Sequence, residues 1–404
     1  MTETIACPSC GAVQAASADP APGRVISCAV CRSELERSHG RSLDGALALA
    51  AATLLLLVPS NLLPFLTTSV LGVSQQSHLG SAAAIMWGDG WPWLAVAITL
   101  FVVVFPLVRF GLLTVVLGML WLGRRSWWLG PAFRYANLLQ MWAMPEVFML
   151  GMWVAYSRIA PTIEVSLGRG AICFILASLG SLFTRATLDR AGVWRMIAPE
   201  APLPESSTGK ISCDSCDLLL DGDHDGGRCP RCAGKLYARR PNAVVRAAAL
   251  TVAALALYFP ANIYPIATLP VGLIPAAYTV IEGVRDLIDA NLYGLALLVF
   301  TASFLIPFAK IAGLAWCVVS VLRRSKRGLI FKTRLYRVVE EIGRWSMLDP
   351  FVISCAVPVL RYNQVIYGRA DPGATAFAAV VILTMVAAHC FDPRLIWDAA
   401  GKAA

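Results

Sequence analysis

Apolar runs of roughly 20 residues recur along this chain, near 43–66, 92–122, 136–157 and 170–188, and again near 243–266, 293–322, 344–361 and 373–391. A run of that length crosses the hydrocarbon core as one helix, and inside lipid every backbone N–H and C=O must find a protein partner. Only 15% of the 404 residues are charged and the mean hydropathy is +0.65, whereas a soluble domain carries about a quarter charged residues. The expected fold is therefore an all-α polytopic membrane protein with about eight transmembrane helices. A polar, cysteine-bearing segment precedes the first apolar run, so no signal peptide is expected at the start.

The runs form two series with the same spacing, which points to a tandem duplication. Cys7-Pro-Ser-Cys10 and Cys28-Ala-Val-Cys31 precede the first series, and Cys213-Asp-Ser-Cys216 and Cys229-Pro-Arg-Cys232 the second. Cys31 to Pro59 is 28 residues, as is Cys232 to Pro260. Pro59-Ser-Asn61-Leu-Leu-Pro64 answers Pro260-Ala-Asn262-Ile-Tyr-Pro265, and Pro106-Leu-Val-Arg109 answers Pro307-Phe-Ala-Lys310. Trp142-Ala-Met144-Pro-Glu146-Val-Phe148 answers Trp345-Ser-Met347-Leu-Asp349-Pro-Phe351; Gly170 and Gly373 each follow their tryptophan by 28 residues, and Leu188-Asp189 answers Phe391-Asp392. The expected organisation is a first ribbon over 1–41, a four-helix membrane domain over 42–197, a linker and second ribbon over 198–241, and a second four-helix domain over 242–398.

Lys and Arg concentrate between Arg24 and Arg41, at Arg124-Arg125, between Arg185 and Arg240, and between Arg323 and Arg337, while the loop at 67–90 has none. The positive-inside rule then puts both termini and both cysteine segments in the cytoplasm. Four spans per half make the repeat parallel, with its pseudo-twofold along the membrane normal. The net charge of +9 matches basic cytoplasmic loops beside anionic headgroups, and no nucleic-acid partner is expected. Arg231, Lys235, Arg239 and Arg240 form a basic cluster, but it adjoins the next span.

Two CxxC knuckles a dozen to a score of residues apart set four thiolates at the corners of a tetrahedron, the closed structural arrangement of zinc. The expected ligands are Cys7, Cys10, Cys28 and Cys31 in one site and Cys213, Cys216, Cys229 and Cys232 in the other. Pro8, Gly11, Pro230 and Gly234 suit the tight knuckle turns. His39 and His224 have no vacancy to fill. Thiol–disulfide exchange is the competing chemistry of CxxC, yet tandem quartets in a reducing compartment fit metal better. Cys173, Cys317, Cys355 and Cys390 lie in apolar runs and are expected to pack there.

An ionisable group at membrane depth costs several kcal/mol unless paired or hydrated, so it is a functional candidate. Arg109 and Lys310 are matched, as are Glu146 and Asp349, and such pairs would meet within a half or across the two. A structural salt bridge and a substrate or proton site are equally open readings. Asn61 and Asn262, in the Pro-x-Asn-x-x-Pro elements, either stop a helix or line a binding site where the backbone unwinds. Trp142, Met144, Trp345 and Met347 read as packing or interfacial anchors, and Arg246 and Arg344 as snorkelling residues at span ends. Segments 82–91 and 278–292 could lie as amphipathic helices on the outer surface and dock a partner. No Walker A loop, HExxH, GxSxG or EF-hand loop is present, and no nucleophile–base set assembles, so no enzyme activity is expected.

These features together resemble the paraquat-inducible protein A family. The paired CxxC quartets, Pro-x-Asn-x-x-Pro and Trp-x-Met-x-Glu/Asp-x-Phe carry the resemblance, which runs from Cys7 to Asp392. Proline follows Asp349 where a small aliphatic residue is more usual. The resemblance implies an inner-membrane protein that moves phospholipid between the bilayer and a periplasmic MCE-domain tunnel partner. A non-transporting adaptor for that partner is the second reading, and a membrane thiol-redox protein the third.

Overall fold

In a computed structural model, residues 2–17, 25–37, 43–70, 73–88, 91–159, 164–198, 210–271, 274–348, 350–352, 354–355 and 369–401 are described. The chain is mostly helical. Two β-hairpins, β1 (Thr2–Ala6) with β2 (Val13–Ser17) and β3 (Val25–Ser27) with β4 (Glu34–Arg37), open it. Helix α1 (Leu43–Leu62) comes next, then a hairpin of β5 (Leu66–Val70) and β6 (Val73–Ser77), and α2 (Ser81–Gly88). Helix α3 (Pro92–Ile98), a π-helical turn (Thr99–Val104) and α4 (Phe105–Trp121) form one continuous rod. After α5 (Leu129–Leu139), α6 (Pro145–Ile159) and β7 (Glu164–Leu167) come α7 (Arg169–Thr187) and α8 (Arg190–Ile197).

The series then recurs. The hairpin of β8 (Lys210–Ser212) and β9 (Leu219–Asp221) leads to α9 (Ala243–Ile263), β10 (Ala267–Val271), β11 (Ile274–Tyr278) and α10 (Val280–Asp289). Helix α11 (Tyr293–Phe300), a π turn (Thr301–Leu305) and α12 (Ile306–Leu322) make the second rod, succeeded by α13 (Leu329–Ile342) and a 3-10 turn (Gly343–Met347). Strand β12 (Arg369–Ala370), α14 (Pro372–Cys390) and α15 (Arg394–Ala399) complete it.

Six of these helical segments are long and apolar enough to cross a membrane: α1, the α3–α4 rod, α7, α9, the α11–α12 rod and α14. The expected eight is not met among the described residues. Helix α6, with 15 residues, is about 22 Å long against a core of about 30 Å, and 349, 353 and 356–361 of the matching run, 344–361, lie outside them. Apolar side chains such as Leu55, Val252, Phe259 and Trp316 face outward, as a lipid-facing surface requires. Inward faces carry small residues, with Ala247, Thr251, Ala254 and Ala261 on α9 packed on α14, so that backbones approach closely.

The expected helix break at Pro-x-Asn-x-x-Pro takes a definite form. Pro59 and Pro260 are accommodated within α1 and α9, and each helix stops just past its asparagine. Asn61 and Asn262 donate to the carbonyls of Leu57 and Tyr258 (2.7 and 2.8 Å), the helix-stop reading. The carbonyls of Pro64 and Pro265 then accept from the N–H groups of Gly170 and Gly373 at 2.9 and 3.0 Å. A Cβ at Gly170 would lie 2.6 Å from the Leu63 oxygen, and one at Gly373 2.4 Å from the Pro265 oxygen, so the approach requires glycine. The segments that follow α1 and α9 are not irregular, as an all-α fold implies: each half builds a three-stranded antiparallel sheet, β6-β5-β7 and β11-β10-β12.

The prolines ahead of Arg109 and Lys310 have a comparable consequence. Pro106 and Pro307 lack the N–H that would close the preceding turn. The chain widens into a π turn at both places, where the N–H groups of Phe105 and Ile306 reach the carbonyls of Leu100 and Thr301.

The ribbons dock crosswise, which the sequence order does not announce. The first ribbon's cysteines share an apolar cluster with Leu314, Leu329, Tyr336, Phe391 and Trp397 of the second half, and Arg337 Nε donates to Ser9 Oγ at 3.0 Å. The second ribbon's cysteines cluster with Leu129, Phe133 and Trp194 of the first half. A Cβ at Gly130 would lie 2.0 Å from the Arg231 carbonyl oxygen. Gly130→Ala is therefore expected to lower the unfolding midpoint of the purified chain, at a cost of about 1–3 kcal/mol. Gly111→Ala, whose Cβ meets nothing within 4 Å, is expected to leave it unchanged.

Candidate functional site

Each cysteine quartet converges. In the first, Cys7 Sγ is 3.5 Å from Cys31 Sγ and Cys10 Sγ 3.6 Å from Cys28 Sγ; in the second, Cys213–Cys232 is 3.6 Å and Cys216–Cys229 3.5 Å. All four sulfurs of each set lie within 4.8 Å of one another and are buried. A tetrahedron with metal–sulfur bonds of about 2.3 Å has edges of about 3.8 Å, so either set could hold a metal ion.

The knuckle turns are built alike. Gly11, Arg32, Asp217 and Ala233, each just after a knuckle, donate to the carbonyls of Cys7, Cys28, Cys213 and Cys229. All four have left-handed backbones, with φ of 82, 60, 56 and 54°. Gly11 stands at such a position, as its turn requires. In the last knuckle Ala233 occupies it, and Gly234 serves instead to let Arg134 approach. Hydrogen bonds from Cys10 and then Cys7 hold the Cys31 thiol down to about 3, and those from Cys31 and Cys7 push Cys10 up. A bound cation would replace the shared protons. His224 is outside the cluster, with Nδ1 beside the Asp221 carbonyl, and His39 lies outside the described residues.

At membrane depth the matched charges part ways. Arg109 is buried on α4, its guanidinium carbon 5.0 Å from the centre of the Phe110 ring. Glu146 is buried in the first turn of α6, where the helix dipole favours a carboxylate. Its Oε1 accepts from Ser181 Oγ at 2.6 Å, while Oε2 has no hydrogen-bond partner among the described residues. Among the described residues, no ion pair joins Glu146 to Arg109. Asp349 lies outside the described residues.

Lys310 is 2% exposed. Its Nζ donates to the carbonyl of Gly343 at 3.1 Å, immediately beyond α13, where the negative end of the helix dipole favours a cation. Some 12 residues separate it from the ribbon-side end of α12, about 18 Å along the axis. It lines a cleft of about 980 Å³ between the halves. Arg134, Arg185, Arg246 and, from the second ribbon, Lys235 also line it. Arg109 is not among its walls. Arg246, which the sequence marks as a snorkelling residue, faces this cleft.

The third motif pair meets at the centre. Phe148 and Phe351 stack edge to face at 5.5 Å, and Met144 and Met347 are fully buried. Trp142 stacks on Phe101 at 5.6 Å. The matched acids Asp189 and Asp392 both begin short helices after the last span. Asp189 accepts from the Gly192 N–H, and Asp392 from the Arg394 N–H. Arg394 then bridges Asp392 (2.9 Å) and Asp214 of the second ribbon (3.0 Å). Burial raises the Asp392 carboxyl, but Arg394 outweighs it and leaves the group below the usual carboxylate range.

The halves match a family model described as Paraquat-inducible protein A twice, over residues 43–198 and 244–401. The chain belongs to this family. It is 31% identical to "Intermembrane transport protein PqiA" of Escherichia coli strain K12 over 387 residues, 93% of this chain and 91% of the relative. It is 30% identical to "Lipophilic envelope-spanning tunnel protein A" of the same strain, over 92% of this chain and 86% of that one. A "Probable intermembrane transport protein" of Haemophilus influenzae is 26% identical over 87% of this chain and 85% of its own. No solved structure matches.

Lys310 makes no ion pair among the described residues. Lys310→Met is expected to leave the unfolding midpoint unchanged or raise it, because an apolar replacement removes a desolvation cost. Asp392→Ala is expected to lower stability by roughly 3 kcal/mol, because Arg394 stays buried without its nearest carboxylate.

Proposed function

We propose that the chain is the inner-membrane component of an intermembrane lipid transport system, passing phospholipid between the bilayer and a periplasmic MCE-domain tunnel partner. The observation that carries this reading is Lys310, a buried ammonium at the floor of the cleft between the halves. A charge kept at that depth without an ion pair costs stability, and proteins retain such groups for substrate or proton handling. The names of the relatives, which speak of intermembrane transport and an envelope-spanning tunnel, support the same reading.

The wider organisation belongs to this proposal. It comprises a parallel tandem duplication with four spans per half, divided at 1–41, 42–197, 198–241 and 242–398. Both termini and both ribbons are cytoplasmic, and the ribbons are structural zinc sites. Transport, not catalysis, is the activity, with Lys310, Arg109, Glu146 and Asp349 as the polar residues. The discontinuities between α5 and α6 and after α13 place Glu146 and the Lys310 contact at helix ends, where ions and substrates are commonly held.

The tunnel partner would dock on the side away from the ribbons, on the two outer sheets and α10. That helix is amphipathic, burying Val280, Gly283 and Leu287, with a capping box of Thr279 and Glu282 at its start. Helix α2, expected to be its equivalent, is apolar on all sides and is not amphipathic.

Lipid transfer from donor to acceptor vesicles by the chain and its partner should fall to background in Lys310→Gln and in Glu146→Gln, with insertion and unfolding midpoint preserved. Normal transfer in both variants would make these residues structural. Elemental analysis of the purified chain should give two zinc equivalents, and one after Cys213→Ala/Cys232→Ala. Reversible disulfides in place of metal would favour the redox reading.

A further inference from the structure

The cleft between the halves gathers basic side chains from several separate elements. Seven basic and three acidic side chains line it. The acids are partly committed: Asp214 pairs with Arg240 and Arg394, and Glu341 with Arg185. Among the described residues, no carboxylate forms a salt bridge with Arg134, Lys235, Arg246 or Lys310, while Arg190 is held electrostatically by Asp217. Arg124, Arg125, Arg323 and Arg324 are exposed and line no part of it; Arg190, Lys235 and Arg246 are exposed too but border the cleft. Here cations from α5, α8, α9, α12 and the second ribbon converge on one concavity. Concentrated charge in a recess focuses the field and draws in counter-ions.

Apolar side chains, Leu138, Met141, Val339 and Met385, line it as well. A site with cations at several points and an apolar flank suits an amphiphile whose polar end is an anion. Lys310 has three donors, one of which goes to Gly343, so the other two can reach a ligand oxygen. Arginine forks on the walls match phosphoryl oxygens in geometry as well as charge.

We propose that this cleft binds a phosphoryl anion, with Lys310 at the floor and Arg134, Arg190 and Arg246 on the walls. Two sources share that chemistry, an anionic phospholipid headgroup and free phosphate. The lipid source rests on the transport reading above and adds to it a preference for net-negative over zwitterionic headgroups. Phosphatidylcholine carries its own cation, which the excess positive charge disfavours.

To test it, full-length protein is equilibrated in mixed micelles of phosphatidylglycerol and phosphatidylcholine and washed, and the retained lipid is quantified by mass spectrometry. In a parallel arm, inorganic phosphate is titrated at constant ionic strength while the unfolding midpoint is tracked. The expected result is enrichment of phosphatidylglycerol by about fivefold or more, the weight of one well-placed cation. The enrichment should be lost in Arg134→Gln/Arg190→Gln and in Arg246→Gln, and kept in Arg124→Gln/Arg125→Gln. All variants should unfold at the wild-type midpoint in phosphatidylcholine alone. A saturable phosphate response that vanishes in the same cleft variants, without lipid enrichment, assigns the site to the free anion.

No headgroup preference together with no phosphate response overturns the site, as does any response that the cleft variants leave intact. Lipid retained regardless of those variants overturns the site while the transport reading stands. If neither lipid is retained and phosphate has no effect, both fall.

Discussion

Carbonyls deprived of their helical donors shape this protein. In lipid such a group must be met by the protein itself, and each proline in a span creates one. The structure meets them with side chains, glycine N–H groups and altered turns. Asn61 and Asn262 close the ends of α1 and α9, and Gly170 and Gly373 satisfy Pro64 and Pro265. The π turns ahead of Pro106 and Pro307 shift the pattern by one residue. Lys310 meets the Gly343 carbonyl just past α13, which joins the same requirement to the polar interior. The backbone irregularities and the buried charge are therefore parts of one arrangement.

The two halves use a shared scaffold differently. Phe148 and Phe351 meet near the centre, so the motif that repeats most clearly serves the contact between halves. Arg109 lies against Phe110, while Lys310 lines the cleft. A lysine suits that place: it is a compact charge with rotatable donors, whereas arginine's planar fork needs several acceptors at once. Each ribbon sits on the opposite half's helices, so the membrane domains are tied together on one side by the soluble modules. Arg394, held by Asp392 and Asp214, is the polar part of that tie.

Much of the site was legible in the sequence because its signals are local. Four cysteines at CxxC spacing specify a cluster whatever surrounds them, and the sulfurs do converge. Lys310 and Glu146 stood out because charge is costly within an apolar run, and both are buried. Their partners were not legible. The opposite signs of Arg109 and Glu146 left a salt bridge and a substrate or proton site equally open, and Glu146 accepts from Ser181. A serine within α7 carries no mark that sets it apart from a packing residue. The short outer strands were equally hidden, since they lie in brief segments between stronger apolar runs.

Composition and near-neighbour spacing by themselves determined the membrane-length helices, the points where proline stops or widens them, the thiol quartets, and the recurrence of all three. Hydrophobic length and backbone valence act over a few turns, so they can be read directly. Only the tertiary structure decided which surfaces meet. The crosswise seating of the ribbons, the Phe148–Phe351 contact and the gathering of Arg134, Arg185, Arg246 and Lys310 around one cleft unite residues far apart in the chain. Their proximity depends on shape complementarity at places such as Gly130 against Arg231, which no local pattern encodes.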